Sequence, residues 1–295
     1  MVVGAIDLSS NAETHRQRRR HEHIVDRLIV ERAPKLAGGW AWPVLRPLLY
    51  GILDYAKARR MADAIAPMGG RAALAHVSAL LAVNVSVSGL ERIPRTGRLV
   101  MICNHPTGIA DGIAIHDALK GVRPDLMFYA NADAHRVAPG FDEVLIPVEW
   151  VEDKRTRERT RLTLQMTRQA MEAERALVIF PAGRLARRGK DGVIVDPAWA
   201  PSAVSVARKY EATIIPLHLS GPTSQLFHFF NRFSGELRDI TLFHELLNKR
   251  GGVFDLIVGH PVPAGALPAD AVEATAAMRA FVEQVLPRDP DRRFS

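Results

Sequence analysis

Near residue 82 the hydrophobic period of this chain drops from the ~3.6 residues of a helix to the two of a strand. Val83, Val85 and Val87 alternate with Asn84, Ser86 and Ser88, so one face of the segment is apolar and the other polar. Further on, short apolar runs at 99–103, 126–129, 144–148, 176–180, 213–219 and 254–258 read as strands. Helical stretches fall between them. One begins after Pro106 and carries Ile109, Ile113, Ile115 and Leu119; others cover 155–173, 201–210 and 269–285. Strands alternating with helices predict an α/β domain with a mostly parallel sheet flanked by helices, because a crossover helix returns the chain to start a parallel neighbour. An N-terminal helical region precedes it. No internal repeat is visible at the usual periods.

The chain has 295 residues, enough for one large domain or two small ones. It divides by composition into a basic arm at 1–36, amphipathic helices at 37–81 and the α/β domain at 82–295. The arm carries Arg16, Arg18, Arg19 and Arg20 and a short apolar pattern at Ile24, Leu28, Ile29 and Val30. In the second part Trp40, Trp42, Leu45, Leu48, Leu49, Tyr50, Ile52, Leu53 and Tyr55 form an aromatic and apolar helix pattern broken by Pro43 and Pro47. Such a pattern fits a helix packed on the domain and one lying in a membrane surface equally well. The helical reading then runs to about residue 80, with Gly69 and Gly70 as a break.

Apolar residues at 47% and charged residues at 24% exclude a disordered or low-complexity protein. Cys103 is the single cysteine, so an internal disulfide and a multi-cysteine zinc site are excluded, and a reducing, cytoplasmic setting is expected. No apolar run reaches the ~18–20 residues of a spanning helix, and no signal peptide is expected. The formal charge of +7 suits acidic partners: an anionic membrane surface, an acidic carrier protein or nucleic acid. Besides the arm, cations gather at Lys154, Arg155, Arg157, Arg159 and Arg161, among Glu152, Asp153 and Glu158, and at Arg184, Arg187, Arg188 and Lys190. The interleaved acids mark the first of these as a solvated helix face. Nucleic acid is disfavoured, since no recognised module or interleaved aromatic residue accompanies the clusters.

Two strand ends carry the chemistry. The run 99–103 stops at Asn104-His105-Pro106-Thr107-Gly108-Ile109-Ala110-Asp111-Gly112, which places His105 and Asp111 where ligand crevices of open α/β sheets lie. A carboxylate within reach of an imidazole fixes its tautomer and stabilises its cation, so the ring can take a proton from a hydroxyl or thiol. The run 176–180 stops at Pro181-Ala182-Gly183-Arg184, with Arg187 and Arg188 close behind. Cations beside free backbone N–H groups suit phosphate or carboxylate oxygens. His116-Asp117 lies further along the helix, toward the surface. His15, His21 and His23 lie in the arm and read as solvated, and Cys103 reads as a small strand residue. No nucleophile elbow and no Walker loop occur.

Together these segments resemble the glycerolipid and lysophospholipid acyltransferase family over roughly residues 83–263. Val87-Ser88-Gly89-Leu90-Glu91-Arg92-Ile93-Pro94 is similar to the lead-in to its first block. NHPTGIADG resembles that block, with five residues between His105 and Asp111 where four are usual. FPAGRLARR resembles the third block, usually written FPEGTRS; Ile214-Ile215-Pro216-Leu217 resembles the fourth, and Gly259-His260-Pro261-Val262 the closing turn. The second block is scarcely recognisable near Val144-Leu145-Ile146-Pro147-Val148. The resemblance implies a glycerol-3-phosphate acyltransferase-like fold and an O-acyltransferase of membrane lipid biosynthesis. It implies His105 as catalytic base and Asp111 as its partner, with Asn104, Thr107, Gly108, Pro181, Gly183, Arg184 and Arg187 at the substrate.

The implied donor is an acyl-CoA or acyl carrier protein thioester, with no cofactor and no metal. The acceptor is a hydroxyl of a glycerolipid, lysophospholipid or related lysolipid. Backbone N–H groups near Gly183 and the Arg184 side chain are the expected oxyanion donors. Ala182 stands where the family has Glu, and Arg184-Leu185-Ala186 replaces Thr-Arg-Ser, so the acceptor need not be glycerol phosphate. The expected setting is peripheral, on the cytoplasmic face of a membrane. A non-catalytic lipid-binding relative is the competing reading, separated from the first by whether imidazole and carboxylate come within hydrogen-bond reach.

Overall fold

The computed structural model describes residues 22–149, 155–189 and 194–295. The arginines at 16–20, His15, His21, Lys154 and Lys190 lie outside them. The strands are β1 (Asn84–Ser88), β2 (Leu99–Cys103), β3 (Met127–Asn131), β4 (Leu145–Val148), β5 (Ala176–Ile179), β6 (Arg187–Arg188), β7 (Ile194–Val195), β8 (Thr213–Ser220) and β9 (Val253–Val258). Seven of them form one sheet in the order β1-β9-β8-β2-β5-β3-β4. From β8 to β4 all neighbours are parallel; β9 pairs antiparallel with β8 and parallel with β1. This is the mostly parallel α/β sheet expected. Strands β6 and β7 form a separate antiparallel hairpin.

Strands β2 and β5 are buried at every residue, as continuous apolar runs covered on both faces must be. Their alternate residues enter two cores. Met101, Cys103 and Val178 face one; Val100, Ile102, Leu177 and Ile179 face the other. The helices Tyr55–Ile65, Gly70–Leu81 and Ile109–Leu119 cover the first face. Helices Arg157–Glu172, Ser202–Lys209 and Ala271–Ala280 cover the second. Because β2, β5, β3 and β4 are parallel, their C-terminal ends share one edge, and the loops leaving β2 and β5 meet there.

The arm, read as ending at 36, is structured from residue 24 onward. Helix Ile24–Arg32 buries Val25, Leu28 and Ile29 in the core shared with the sheet. Its buried Asp26 accepts hydrogen bonds from Arg46 Nη2 (2.9 Å), Tyr50 Oη (2.8 Å) and Tyr55 Oη, so one carboxylate ties three helices together. His23, expected to be solvated, accepts from the Val25 N–H at the start of this helix and meets Asp63 at 2.8 Å. A nine-residue helix with five apolar residues is too short for the sequence pattern to show such docking. The prolines do not break helix Trp42–Ile52 either. Pro43 sits in the first turn, where an N–H lacks a partner anyway. Pro47 lies on the exposed side, where water can take the carbonyl its missing N–H leaves free.

Between β8 and β9 run three short helices absent from the sequence reading: Gln225–Asn231, Gly235–Asp239 and Leu242–Leu247. Among the described residues no helix is long and apolar enough to cross a membrane.

Candidate active site

The chain leaves β2 through a turn that brings His105 and Asp111 together. His105 Nδ1 lies 2.8 Å from Asp111 Oδ2, leaving Nε2 for a substrate. The turn between them closes through Gly108, whose φ of +98° only glycine adopts without strain; a Cβ there would stand 2.8 Å from Leu185 Cδ2. Asp111 is fully buried and well supplied with donors. Its Oδ2 also accepts from the backbone N–H groups of Thr107 (3.0 Å) and Gly108 (3.1 Å), and its Oδ1 from the Thr107 hydroxyl. These N–H groups lie at and just before the N-cap of helix Ile109–Leu119, whose dipole favours the negative charge. The ring of Phe180, at the end of β5, stacks on the His105 ring at 4.4 Å and 26°.

Asp196 stands on the other side of this turn. Its carboxylate accepts from the His105 N–H at 3.1 and 3.3 Å and from Trp199 Nε1–H at 3.0 Å. Burial pushes its pKa up to about 6, against the pull of His105 and of the Trp199 hydrogen bond. Cys103 is buried, which pushes its thiol up and leaves it a strand residue rather than a nucleophile.

A cavity of about 430 Å³ opens beside His105. Gly108, Gly183, Arg184 and Arg187 line it with His105. Its remaining wall is largely apolar: Met61, Ile65, Leu74 and Val77 from the N-terminal helices, Phe128 from β3 and Leu145 from β4. Arg238, Asp239 and Glu245 reach it from the helices between β8 and β9. Arg238 donates to Asp239 (2.7 Å) and Asn231 (2.9 Å). The buried Glu245 is matched by the Ser224 hydroxyl (2.6 Å) and by Lys249 Nζ (3.4 Å). Arg187 Nε is buried with no hydrogen-bond partner among the described residues. Burial, with Arg238 and Arg184 close by, lowers the pKa of Arg187. A half-buried guanidinium among like charges favours an anion.

Three expected substrate contacts lie behind this wall instead. Asn104 is buried and spent on β8: its Nδ2 donates to the Leu219 carbonyl and its Oδ1 accepts the Leu219 N–H, both at 2.8 Å. Thr107 serves Asp111, and Pro181 is buried outside the cavity lining. The Gly183 N–H, expected as an oxyanion donor, is taken by the Phe180 carbonyl at 3.0 Å. The Arg184 side chain remains. Among the described residues no group of three His, Cys, Asp or Glu is placed to hold a metal ion.

Comparison with known proteins places part of this chain beside known acyltransferases. Residues 84–220 match the family model described as Acyltransferase, a stretch that holds both strand ends, His105, Asp111 and the arginine hairpin. Residues 84–220 are thus similar to an acyltransferase domain. Two curated relatives, each named lyso-glycine lipid O-acyltransferase, are similar to it. That from Phocaeicola vulgatus is 27% identical over 193 residues, covering 62% of this chain and 66% of the relative. That from Bacteroides thetaiotaomicron is 24% identical over 189 residues, covering 62% and 67%. The match thus spans about two thirds of the length of these relatives. The crystal structure of the 1-acyl-sn-glycerophosphate (LPA) acyltransferase PlsC from Thermotoga maritima superposes with a TM-score of 0.47 at 13% identity, over 76% of this chain and 82% of that one. Arg238 and Glu245 lie beyond the acyltransferase match, and no motif in the sequence announces them.

Proposed function

We propose that this acyltransferase moves a fatty acyl group from a thioester, acyl-CoA or acyl carrier protein, to the hydroxyl of a lysolipid with an anionic head. The observation that carries the reading is the 2.8 Å contact of His105 with the buried Asp111, made beside a cavity that is cationic near the histidine and apolar elsewhere. That contact is the geometry a base needs and a vestigial site has no need to keep. His105 Nε2 takes the acceptor's hydroxyl proton while the oxygen attacks the thioester carbonyl. Asp111 holds the Nδ1–H tautomer and stabilises the imidazolium. Arg184 faces the developing oxyanion. Collapse breaks the carbon–sulfur bond, and the imidazolium returns the proton to the departing thiolate.

Apolar walls suit acyl chains, and Arg184, Arg187 and Arg238 suit an anionic head. Two of the cavity's carboxylates are already matched, Asp239 by Arg238 and Glu245 by Lys249. Arg184 and Arg187 are thereby left for an anionic head, and the head group in the name of the curated relatives, a glycine lipid, carries such an anion in its carboxylate. The acceptor would be met at an anionic membrane surface. Trp40 is 94% exposed, and Val44, Leu48 and Ile52, one turn apart on helix Trp42–Ile52, turn outward opposite the buried Leu49.

The test is acyl transfer by purified protein from labelled acyl-CoA and acyl carrier protein to a panel of lyso-glycine lipid, lysophosphatidate, glycerol 3-phosphate and other lysolipids. Transfer to a lysolipid, lost in His105→Ala with the fold intact, is expected. Undiminished transfer by that variant overturns the reading, and transfer to glycerol 3-phosphate alone overturns the acceptor.

A further inference from the structure

We propose that Asp196 is a positioning residue for His105, holding the histidine's backbone and setting a second negative charge beside its ring. This rests on the reading of His105 as the base. The His105 N–H points out of the sheet just past the end of β2, where no strand offers a carbonyl. Both Asp196 oxygens lie within reach of it, at 3.1 and 3.3 Å, and the Trp199 indole N–H fixes the carboxylate at 3.0 Å. The His105 carbonyl is held as well, by the Ala186 N–H at 3.0 Å. Ala186 leads into the β6–β7 hairpin and Asp196 leaves it, so the two feet of the hairpin grip the two backbone groups of one residue. Phe180 adds the stacked ring. Asp111 can aim the imidazole only from a backbone that stays in place, and the hairpin supplies that place.

A neutral amide could accept the same N–H, yet the chain keeps an acid that is only 6% exposed. The charged groups around it show where its charge acts. Arg279, from the C-terminal helix, gives Nη2 to the Asp196 backbone carbonyl at 2.7 Å but turns Nε to Glu283 at 2.9 Å, so its cation is matched. Glu283 itself pushes the Asp196 pKa up, as burial does. Cys103, from β2, is a neutral thiol. Asp111 lies across the imidazole. His105 is the group of this set that gains positive charge during the reaction, and its attraction lowers the pKa of Asp196. Two carboxylates, one at Nδ1 and one at the backbone, thus flank the base.

Asp196→Asn keeps an acceptor and removes the charge. The expected result is a kcat lower by about tenfold with KM within about twofold, since the ring becomes a weaker base while the cavity is untouched. The acid limb of the kcat/KM profile moves to lower pH by about half a unit, because the imidazolium loses a stabilising neighbour. Stability should move the other way. The folded pKa of Asp196, about 6, lies above its ordinary value, so its contribution to folding is full below about pH 4 and lost as pH rises through 6. At pH 8 the Asn variant therefore melts no lower than the parent. Reaction of His105 with diethyl pyrocarbonate, which needs no substrate, should quicken at pH 6.5 in the variant.

Asp196→Asn with unchanged kcat, acid limb and modification rate overturns the proposal. So does a variant that loses activity only with a lower Tm and an unmoved acid limb, which leaves Asp196 a merely structural part. His105→Ala in the same assay tests the underlying reading by itself, and the modification rate still decides the role of Asp196 if that reading fails.

Discussion

The turn from His105 to Asp111 and the arginine hairpin beside it face the same cavity but differ in how fully their polar groups are matched. In the turn, Asp111 collects the His105 ring, two backbone N–H groups and the Thr107 hydroxyl. In the hairpin and the neighbouring helix, Arg184, Arg187 and Arg238 stand close enough to repel one another, and Arg187 Nε is left without a partner among the described residues. A saturated site is preorganised: its geometry costs nothing to assemble at the moment of reaction. An unsaturated one is a binding site, because the missing partner is the ligand's to supply. Changes in the turn should therefore act on kcat and on folding, and changes at Arg187 and Arg238 on KM.

The largest effect should come from Asp111→Ala. It strands two backbone donors and frees the ring, so kcat should fall by about 100-fold or more and stability by about 1–3 kcal/mol, read by steady-state kinetics and chemical unfolding. Gly108→Ala should follow. It imposes left-handed strain and a clash with Leu185, costing about 1–3 kcal/mol and lowering kcat with it. A Gly108→Ala protein with parental kcat would show that the turn tolerates a different path. Arg238→Ala should leave kcat and Tm near the parent and raise KM for an anionic acceptor about tenfold, the loss of one charge-assisted contact. A fall in kcat at constant KM would erase the division between turn and rim. Thr107→Val, which removes one of the donors to Asp111, is the mildest: about threefold in kcat, with KM unmoved.

Strand positions and their burial were legible because a run such as Leu99–Cys103 is apolar on both faces and can sit only in the middle of a covered sheet. His105 and Asp111 were legible through their block, and the turn through Gly108 brings them to 2.8 Å. Asn104, Thr107 and Pro181 share those blocks, yet they serve the backbone instead of the cavity. A short block does not say which of its side chains faces in and which holds the turn. Asp196 and Arg238 carried no signal. Asp196 is 91 residues from His105 and meets its backbone, a contact that leaves no trace in residue type. The N-terminal helices read equally well as packed on the domain or lying in a membrane surface; that Met61, Ile65, Leu74 and Val77 line the cavity was hidden, because a cavity wall and a core face have the same apolar pattern.

By itself the sequence determined the α/β class, the two strand ends that meet beside the cavity and the pairing of the histidine with its carboxylate. Each depends on residues close in the chain, where period, turn chemistry and spacing act directly. The tertiary structure decided what surrounds that pair: Asp196 at its backbone, Phe180 on its ring, the arginines from the segment after β5 and the helices after β8, and an apolar wall built largely by helices that precede the sheet. These meetings arise from how the layers pack, and packing brings together residues whose separation in the chain carries no periodic or local signal.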